Sequence, residues 1–233
     1  MSKQNKKEIV REMFDDISAR YDFLNHFLSF GIDRGWRRKL VGILATHKPA
    51  SVLDVATGTG DLAMAIASLN PQNITGIDIS EKMLEIGRGK LAEKGLGKLI
   101  TLIRADAERI PFSDNSFDAV TVAFGVRNYE NLELGLLEMR RVLKPGGVML
   151  ILEFSQPTVF PMKQLYRIYS RFVIPVMGRA ISGNSKAYTY LPESVAAFPS
   201  GKNFLDILLK LGLKNTEQIR LSMGIASIYI AEK

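Results

Sequence analysis

Short apolar runs alternate with segments of helical periodicity through most of the chain. Five runs lack the polar alternation of a solvent-facing strand and cover residues 51 to 55, 74 to 79, 99 to 103, 117 to 124 and 148 to 154. Such runs are typical of parallel strands buried on both faces. Apolar spacings of three and four predict helices at residues 61 to 69, 81 to 94 and 132 to 143. This alternation predicts an α/β fold with a doubly wound, mostly parallel sheet.

The pattern changes in the last third of the chain. The segment Lys144-Pro145-Gly146-Gly147 is a strong stop signal for the third helix. Residues 204 to 211 have helical spacing, and residues 216 to 221 and 225 to 232 are predicted as strands joined around Ser222-Met223-Gly224. These two strands predict an antiparallel hairpin that completes a seven-stranded sheet.

The segments outside this alternation are predicted to be helical or rich in loops. Ile9, Met13 and Ile17 have helical spacing, so residues 1 to 47 are expected to form a helical cap that acts as a lid over a ligand site. Residues 155 to 200 are expected to form a helical and loop insertion near the substrate opening. A length of 233 residues with 46% hydrophobic residues suits a single domain spanning residues 1 to 233.

Composition narrows the classes of partner and compartment. The formal charge of +7 favours an anionic partner, either nucleic acid or an acidic lipid surface, and does not choose between them. The lack of cysteine excludes disulfides, thiolate metal sites and a cysteine nucleophile. No apolar run reaches the roughly 18 residues of a membrane span, so a cytoplasmic protein is expected. His26 and His47 have no neighbours that complete a ligand set, so no metal is expected.

A glycine turn follows the first predicted strand. Gly58 and Gly60 permit backbone angles and close ligand approach that a Cβ atom would hinder. Asp78 lies 20 residues later at the end of the second strand, where a carboxylate can bind both hydroxyls of a ribose. Ligands bind at the carboxyl ends of strands in such sheets. The turn and the carboxylate together favour a nucleoside ligand over a purely structural turn.

The nucleoside is either a nicotinamide dinucleotide or S-adenosylmethionine (SAM). The spacing Gly58-x-Gly60-x-x-Ala63 also satisfies the dinucleotide pattern. Asp54 at the start of the loop suits the ammonium and sulfonium of SAM better than a pyrophosphate. After the third strand, Asp106 can accept a hydrogen bond from an adenine amino group while Ala107 leaves room beside the ring. The alternative for this segment is an ordinary surface turn.

The motifs resemble those of known methyltransferases over the whole catalytic core. Those shared with class I SAM-dependent methyltransferases run from Asp54 to Asp61 and continue with Asp78, Asp106-Ala107, Pro111-Phe112, Phe117-Asp118 and residues 143 to 147. A second set resembles the quinone-ring C-methyltransferases of menaquinone and ubiquinone biosynthesis. It comprises Tyr21-Asp22, Asn25, Ser29-Phe30-Gly31-Ile32, Trp36-Arg37, Phe124-Gly125-Val126-Arg127-Asn128 and Glu153-Phe154-Ser155.

The resemblance implies a Rossmann-like fold and a set of SAM contacts. The residues that it assigns to SAM are Thr59, Asp78, Asp106 and Ala107, and those that it assigns to the shape of the loop are Asp54, Gly58 and Gly60. One position departs from the family pattern. Ala123 stands where a serine often contacts the cofactor, so a side-chain hydrogen bond is lost there.

The implied reaction transfers a methyl group from sulfur to a ring carbon of demethylmenaquinol, or of the ubiquinone precursor. Loss of a phenolic proton activates the ring carbon, so the enzyme must supply proximity, a dry pocket and help with that proton. Arg127 is expected to stabilise a phenolate, or to serve as a structural salt-bridge partner. Asn128 is expected to orient a water or to cap the turn, and Tyr21 to bind the quinol oxygen or to fill the lid.

A quinol with a polyprenyl tail requires access to a bilayer. Leu165, Ile168, Tyr169, Phe172, Val173 and Val176 share a helical face, and Lys163, Arg167 and Arg171 recur on another. Such a basic amphipathic helix either lies on anionic lipid at the inner face of the membrane or covers a core. Two rivals to quinol methylation remain, an RNA methyltransferase and a non-catalytic subunit, although dispersed basic residues argue against nucleic acid. A homodimer is left open.

Overall fold

The computed structural model describes residues 6–29, 31–169 and 185–233, with side chains described outside 19–28 and 185–189. Its helices are α1 (Lys6–Leu28), α2 (Ile32–His47), α3 (Asp61–Ile66), α4 (Glu81–Glu93), α5 (Leu132–Val142), α6 (Met162–Ile168), α7 (Ser185–Ala197) and α8 (Lys202–Lys210). Its strands are β1 (Ser51–Val55), β2 (Asn73–Asp78), β3 (Ile100–Arg104), β4 (Phe117–Ala123), β5 (Leu143–Phe154), β6 (Lys214–Leu221) and β7 (Ala226–Glu232).

The strands form one sheet in the order β3-β2-β1-β4-β5-β7-β6. The strands β1 to β5 are parallel, and β7 pairs antiparallel with both β5 and β6. The predicted fold class, including the antiparallel C-terminal hairpin, is confirmed. Strand order reverses between β1 and β4, and in such sheets ligands bind beside the carboxyl ends of the strands at that point.

Most predicted element boundaries agree with the structure to within two residues. The third helical turn predicted after residue 61 is a 3₁₀ turn at Ala67–Leu69, and β5 departs most. The segment Lys144-Pro145-Gly146-Gly147 does end α5, at Val142, but it lies inside β5. The strand starts five residues before the predicted Val148 because Leu143 already pairs with Phe117, and the register then shifts before Ala119 pairs with Val148. A local apolar pattern cannot reveal this irregular start because pairing across strands creates it.

Helices cover both faces of the sheet and bury two apolar clusters. On one face α2, α3 and α4 pack on the sheet through Leu40, Leu44, Ile66 and Leu84. On the other face α5 and α8 pack through Leu136, Met139, Phe204 and Leu208. Alternate residues of β1 serve the two clusters, since Val52 faces the first and Leu53 the second. The sheet is therefore a rigid support for the loops at its carboxyl edge.

Candidate active site

The glycine turn after β1 bends the chain sharply into α3. Ala56, Gly58 and Gly60 all have left-handed backbone angles, with φ of 52°, 58° and 82°. Within the turn the Thr57 amide donates to the carbonyl of Ile77 in β2 at 2.9 Å. This bond attaches the turn to the neighbouring strand. The turn is therefore fixed at the carboxyl edge, where the sequence predicts the ligand.

Asp54 is the buried carboxylate at the base of this turn. Its two oxygens accept hydrogen bonds from the hydroxyls of Thr57, at 2.6 Å, and Thr121, at 2.8 Å. Burial raises the pKa of Asp54 to about 6, against the opposing effect of these bonds and of the Arg37 charge. Asp54 therefore fixes the glycine turn through its hydrogen bond to Thr57.

Asp78 ties the end of β2 to the glycine turn. Its Oδ2 accepts from the amide of Gly58 at 2.8 Å, and its Oδ1 accepts from the amide of Ser80 at 2.9 Å. Burial raises the pKa of Asp78 although these backbone donors oppose the rise. The carboxylate borders an adjoining cavity. Its remaining lone pairs can accept the hydroxyls of a ribose there.

A cavity, here called the main cavity, lies beyond the carboxyl ends of β1, β2, β3 and β4. Six residues singled out in the sequence line it, namely Gly58, Asp78, Asp106, Ala107, Ala123 and Asn128. Ala123 contributes only a methyl group, in keeping with the departure from the family pattern. Gly125 also borders this cavity, and a Cβ atom there would come within 2.6 Å of the Ala56 side chain. The end of β4 therefore depends on a glycine to pack against the turn.

Helix α1 covers the main cavity, which is the position that a lid over the ligand site would need. Lys7, Val10 and Phe14 line the cavity from this helix. The Lys7 ammonium lies 2.6 Å from Oδ2 of Asp106 and 3.3 Å from Oε2 of Glu108. The other Asp106 oxygen accepts from the Glu108 amide at 2.9 Å. Asp106, which the sequence assigns to adenine, therefore forms an ion pair with Lys7 of α1.

A smaller cavity, here called the polar cavity, adjoins the main cavity. The residues common to both are Ala56, Gly58 and Ala123. The polar cavity is also lined by Arg37, Asp54, Thr57, Thr59, Asp61 and Leu62. Thr59 is buried, and its hydroxyl accepts from Lys90 at 3.0 Å while Lys90 also pairs with Asp61. The glycine turn thus lies between the main cavity and the charged polar cavity.

Arg127 is held in a buried ion pair. Its Nη1 lies 2.7 Å from Oε1 of Glu153, and the two side chains are 6% and 0% exposed. The same nitrogen donates to the carbonyl of Phe124, and the Arg127 amide donates to Glu153 Oε2 at 3.3 Å. Arg127 therefore does form a salt bridge, as the structural alternative for this residue predicts. Arg127 is absent from the described lining of the main cavity, whereas its neighbour Asn128 is present.

Asn128 links the main cavity to the insertion. Its amide nitrogen donates to the carbonyl of Phe124 at 3.4 Å, and its Oδ1 accepts from the Tyr190 hydroxyl of α7 at 3.1 Å. Both the capping contact and a position on the cavity are therefore present. Tyr21 lies in α1, and its side chain is outside the described part of the chain.

Two residues of this region have no role assigned from sequence. Glu153 is a carboxylate inside an apolar strand, and that is a detectable signal because such a residue needs a buried partner. Tyr190 gives no comparable signal, since only the packing of α7 against the turn brings it to Asn128. Within residues 6–29, 31–169 and 185–233, no group of three or more metal-ligating side chains occurs.

Residues 1–233 match the model of the ubiE/COQ5 methyltransferase family from end to end. The chain belongs to this family. It is 48% identical over 229 residues to a demethylmenaquinone methyltransferase of Bacteroides fragilis, covering 98% of this chain and 94% of that one. It is 49% identical over 230 residues to the ubiquinone/menaquinone biosynthesis C-methyltransferase UbiE of Geotalea daltonii, covering 98% and 97%.

Solved structures of lower identity share the fold. A SAM-dependent methyltransferase from Thermotoga maritima has a TM-score of 0.65 at 20% identity, covering 95% of this chain and 99% of that one. Another from Aquifex aeolicus has a TM-score of 0.53 at 20% identity, covering 78% and 81%. The ubiE/COQ5 chain is thus a SAM-dependent methyltransferase with the Rossmann-like fold, and its methyl donor is SAM. Membership in an enzyme family also decides against the non-catalytic alternative.

Proposed function

We propose that the enzyme C-methylates the ring of demethylmenaquinol, giving menaquinol, with the ubiquinone-pathway precursor as a second acceptor. The observation that carries this proposal is the match, at 48% identity over 98% of the chain, to a relative named for demethylmenaquinone. The relative named for both quinones supports the second acceptor. The positive charge does not favour an RNA acceptor, because the basic residues are dispersed along the sequence and no aromatic-rich RNA-binding module is recognisable in it.

The residues at the carboxyl edge fit SAM. Asp78 is proposed to bind the ribose hydroxyls and Asp106 the adenine amino group beside the small side chain of Ala107, which is supported by their shared position on the main cavity. Gly58 and Gly60 have no Cβ atom, so SAM can approach the backbone of the turn closely. Thr59 lies at the adjoining polar cavity. When bound, SAM supplies an electrophilic methyl group on a sulfonium that leaves as a neutral thioether.

The acceptor ring is proposed to lie against Asn128, at the junction of the main cavity and the insertion. Asn128 there orients a quinol hydroxyl, with the Tyr190 hydroxyl as its present partner. Arg127 serves as a fixed cation that stabilises the phenolate, and Glu153 holds its guanidinium in place. Tyr21 is proposed to bind the quinol oxygen from the cap, on the strength of the family resemblance. These groups favour the phenolate form of the quinol, whose phenolic proton passes to solvent and whose ring carbon beside the oxygen is rich in electrons. That carbon bonds to the methyl group as the carbon–sulfur bond breaks, and loss of the ring proton to solvent then restores the aromatic quinol. The thioether leaves without acid catalysis.

A surface of the insertion is proposed to contact anionic lipid, so that a polyprenyl tail can reach the active site. Phe160 is 76% exposed, and Leu165 and Ile168 of α6 are each more than half exposed. Lys163 and Arg167 lie at the surface of the same helix. Phe172, Val173, Val176 and Arg171, which complete the predicted amphipathic pattern, fall outside the described residues. Apolar side chains beside cations suit the interface of an acidic bilayer.

Where the structure describes the chain, no helix has both the length and the apolar character of a membrane span. We propose a cytoplasmic enzyme that visits the inner face of the membrane through the insertion. Sedimentation equilibrium separates a monomer from the homodimer that the sequence leaves open.

Liposome flotation tests the membrane contact. Wild-type enzyme is expected to float with vesicles of acidic lipid in low salt and to dissociate as salt screens the charges. The variant F160S/I168S is expected to float less, while L209S, which alters an exposed leucine of α8, floats as wild type does. Failure of the wild-type enzyme to bind these vesicles in low salt would defeat the proposal.

The decisive assay measures transfer of labelled methyl from SAM to three acceptors under reducing conditions. The acceptors are a short-tailed demethylmenaquinol, the ubiquinone precursor and bulk RNA. The expected result is label in a quinol product, with mass spectrometry locating the new methyl group on a ring carbon. Label only in RNA, or bound SAM with no quinol product, contradicts the proposed function and leaves the fold and the methyl donor standing.

A further inference from the structure

Among the described residues, two buried side-chain nitrogens lack a hydrogen-bond partner, and one of them is Nε of Arg37. Arg37 lies on α2 and is 8% exposed. Its Nη1 pairs with Oδ2 of Asp33, which itself accepts from the Ser29 hydroxyl at 2.6 Å through Oδ1. Buried donors are nearly always satisfied, so an unused one on a buried cation needs an explanation. A ligand is one source of the missing acceptor.

The surroundings of Arg37 identify where that acceptor would lie. Arg37 lines the polar cavity beside the glycine turn. The carboxylates of the same lining are engaged elsewhere, since Asp54 accepts from Thr57 and Thr121 and Asp61 pairs with Lys90. Among the lining residues that the structure describes, Arg37 is the cationic one. The polar cavity therefore offers one buried cation to an incoming anion.

The guanidinium is held in a fixed orientation. Its central carbon lies 5.6 Å from the centroid of the Phe124 ring, and that ring stacks on Phe154 with centroids 4.4 Å apart. Asp33, four residues earlier on α2, fixes the other side. A cation held by an aromatic face and a carboxylate loses little entropy when it binds a ligand. This arrangement suits bidentate recognition of a planar anion such as a carboxylate.

We propose that Arg37 binds the carboxylate of the amino-acid portion of the methyl donor. This inference rests on the use of SAM in the proposed function and does not depend on the acceptor. The adenosine portion belongs with Asp78 and Asp106 in the main cavity, so the amino-acid portion extends past Gly58 into the polar cavity. Of its two charged groups, the carboxylate is the one that a buried arginine attracts.

The alternative is that Arg37 only joins turns of α2 through its i,i+4 pair with Asp33. In that case the enzyme would not distinguish ligands by the presence of a carboxylate at this end. Decarboxylated SAM retains the adenosine, sulfonium and ammonium groups and lacks only the carboxylate. Titration calorimetry of the wild-type enzyme with SAM and with decarboxylated SAM therefore tests the proposal without any substitution.

The expected result is that wild-type enzyme binds SAM about 10- to 100-fold more tightly than decarboxylated SAM, the range for a charge-assisted hydrogen bond. In Arg37→Met the dissociation constant for SAM is expected to rise by a similar factor, while that for decarboxylated SAM stays at the wild-type value. Arg38→Met is the matched control, because Arg38 is the next residue of α2 and lies at the surface. It should bind both ligands as wild type does.

Arg37→Met leaves the Asp33 carboxylate without its buried partner, so the variant R37M/D33N is measured beside it and folding is checked by circular dichroism. Equal loss of affinity for both ligands in a folded variant overturns the proposal, as does wild-type enzyme that binds the two ligands equally. If the quinol assay fails while this discrimination is present, the proposed acceptor is wrong and the Arg37 inference stands. If SAM discrimination fails while quinols are methylated, only the Arg37 inference is wrong.

Discussion

At the residue scale, the site is built from carboxylates whose first partners belong to the protein itself. Asp54 accepts from two threonines, Asp78 from two backbone amides and Asp106 from Lys7 and the Glu108 amide. Each carboxylate keeps acceptor capacity because an ionised carboxyl offers about four lone pairs. These bonds fix the orientation of each group before a ligand arrives, which lowers the entropy that binding must overcome.

The raised pKa of Asp54 predicts a pH dependence of stability. Its pKa of about 6 lies above the ordinary value near 3.9, so the folded protein holds this proton more tightly than the unfolded chain does. The free energy of unfolding should therefore fall as pH rises from about 4 to 6, by on the order of 3 kcal/mol from this residue. Denaturant unfolding of wild type and Asp54→Asn at several pH values measures it.

In Asp54→Asn that part of the pH dependence should vanish, because an amide does not titrate. An identical slope in both proteins between pH 4 and 6 would show that Asp54 does not titrate in this range.

Arg127→Ala is predicted to lower turnover by at least about 100-fold while SAM affinity stays within a few-fold of wild type. It also strands the Glu153 carboxylate in the core, at a cost of about 3 to 5 kcal/mol in stability. The companion variant R127M/E153Q removes both charges together. Steady-state kinetics and calorimetry on the two variants separate the effects. Full turnover in the companion variant would refute the role of Arg127 as a fixed cation.

At the element scale, α1 covers the main cavity and contacts the neighbouring elements through polar groups as well as through the buried side chain of Val10. Besides Lys7, the Lys6 ammonium donates to the Tyr129 carbonyl at 2.5 Å, and the Ser80 hydroxyl donates to Asp15 Oδ1 at 2.5 Å. The Lys7–Asp106 ion pair joins two partly exposed side chains, and such pairs are weak individually. An element held by such contacts opens at lower cost than one packed into the core.

Lys7→Met is predicted to raise both the association and the dissociation rate of SAM, each by less than about five-fold. The reason is that partly exposed ion pairs are worth at most about 1 kcal/mol, and this change removes the pairs to Asp106 and Glu108. Stopped-flow binding measures the rates, with Lys39→Met on the surface of α2 as the control. Slower association in Lys7→Met would mean that Lys7 guides SAM into the site rather than holding the cover closed.

At the scale of the whole molecule, the strand order concentrates the functional groups at one edge of the sheet. The carboxyl ends of β1, β2, β3 and β4 carry the glycine turn, Asp78, Asp106 and the Arg127 turn. Helices on both faces bury the sheet, so this edge is backed by two packed clusters. A ligand that bridges several strand ends should stabilise the entire fold.

SAM at about 100 times its dissociation constant is predicted to raise the melting temperature by about 5 to 10 °C. The basis is a stabilisation of about 2.7 kcal/mol at that ratio and roughly 2 to 4 °C per kcal/mol for a chain of this size. Calorimetric melting with and without SAM tests it. At the same SAM concentration Asp78→Asn should show a smaller rise, because its amide cannot accept from both the Gly58 amide and a ribose hydroxyl as the carboxylate can.

The sequence by itself determined the succession of strands and helices along the chain, the hairpin, the glycine turn and the acidic positions at the strand ends. These features are local, because they depend on periodicity, on glycine and on which residue follows an apolar run. The family motifs extended that local information to SAM and to quinones. They also gave Arg127 and Asn128 as neighbours in sequence without showing that one is paired in the core and the other lines the cavity.

Only the tertiary structure decided which polar side chains meet. The pairs Arg127 with Glu153, Lys7 with Asp106 and Tyr190 with Asn128 join residues 26, 99 and 62 positions apart. The early start of β5 likewise depends on its pairing with Phe117. Such contacts arise from how packed elements bring distant side chains together, and no local pattern encodes that distance. The unused donor of Arg37 is visible for the same reason, since burial and partners are properties of the folded chain.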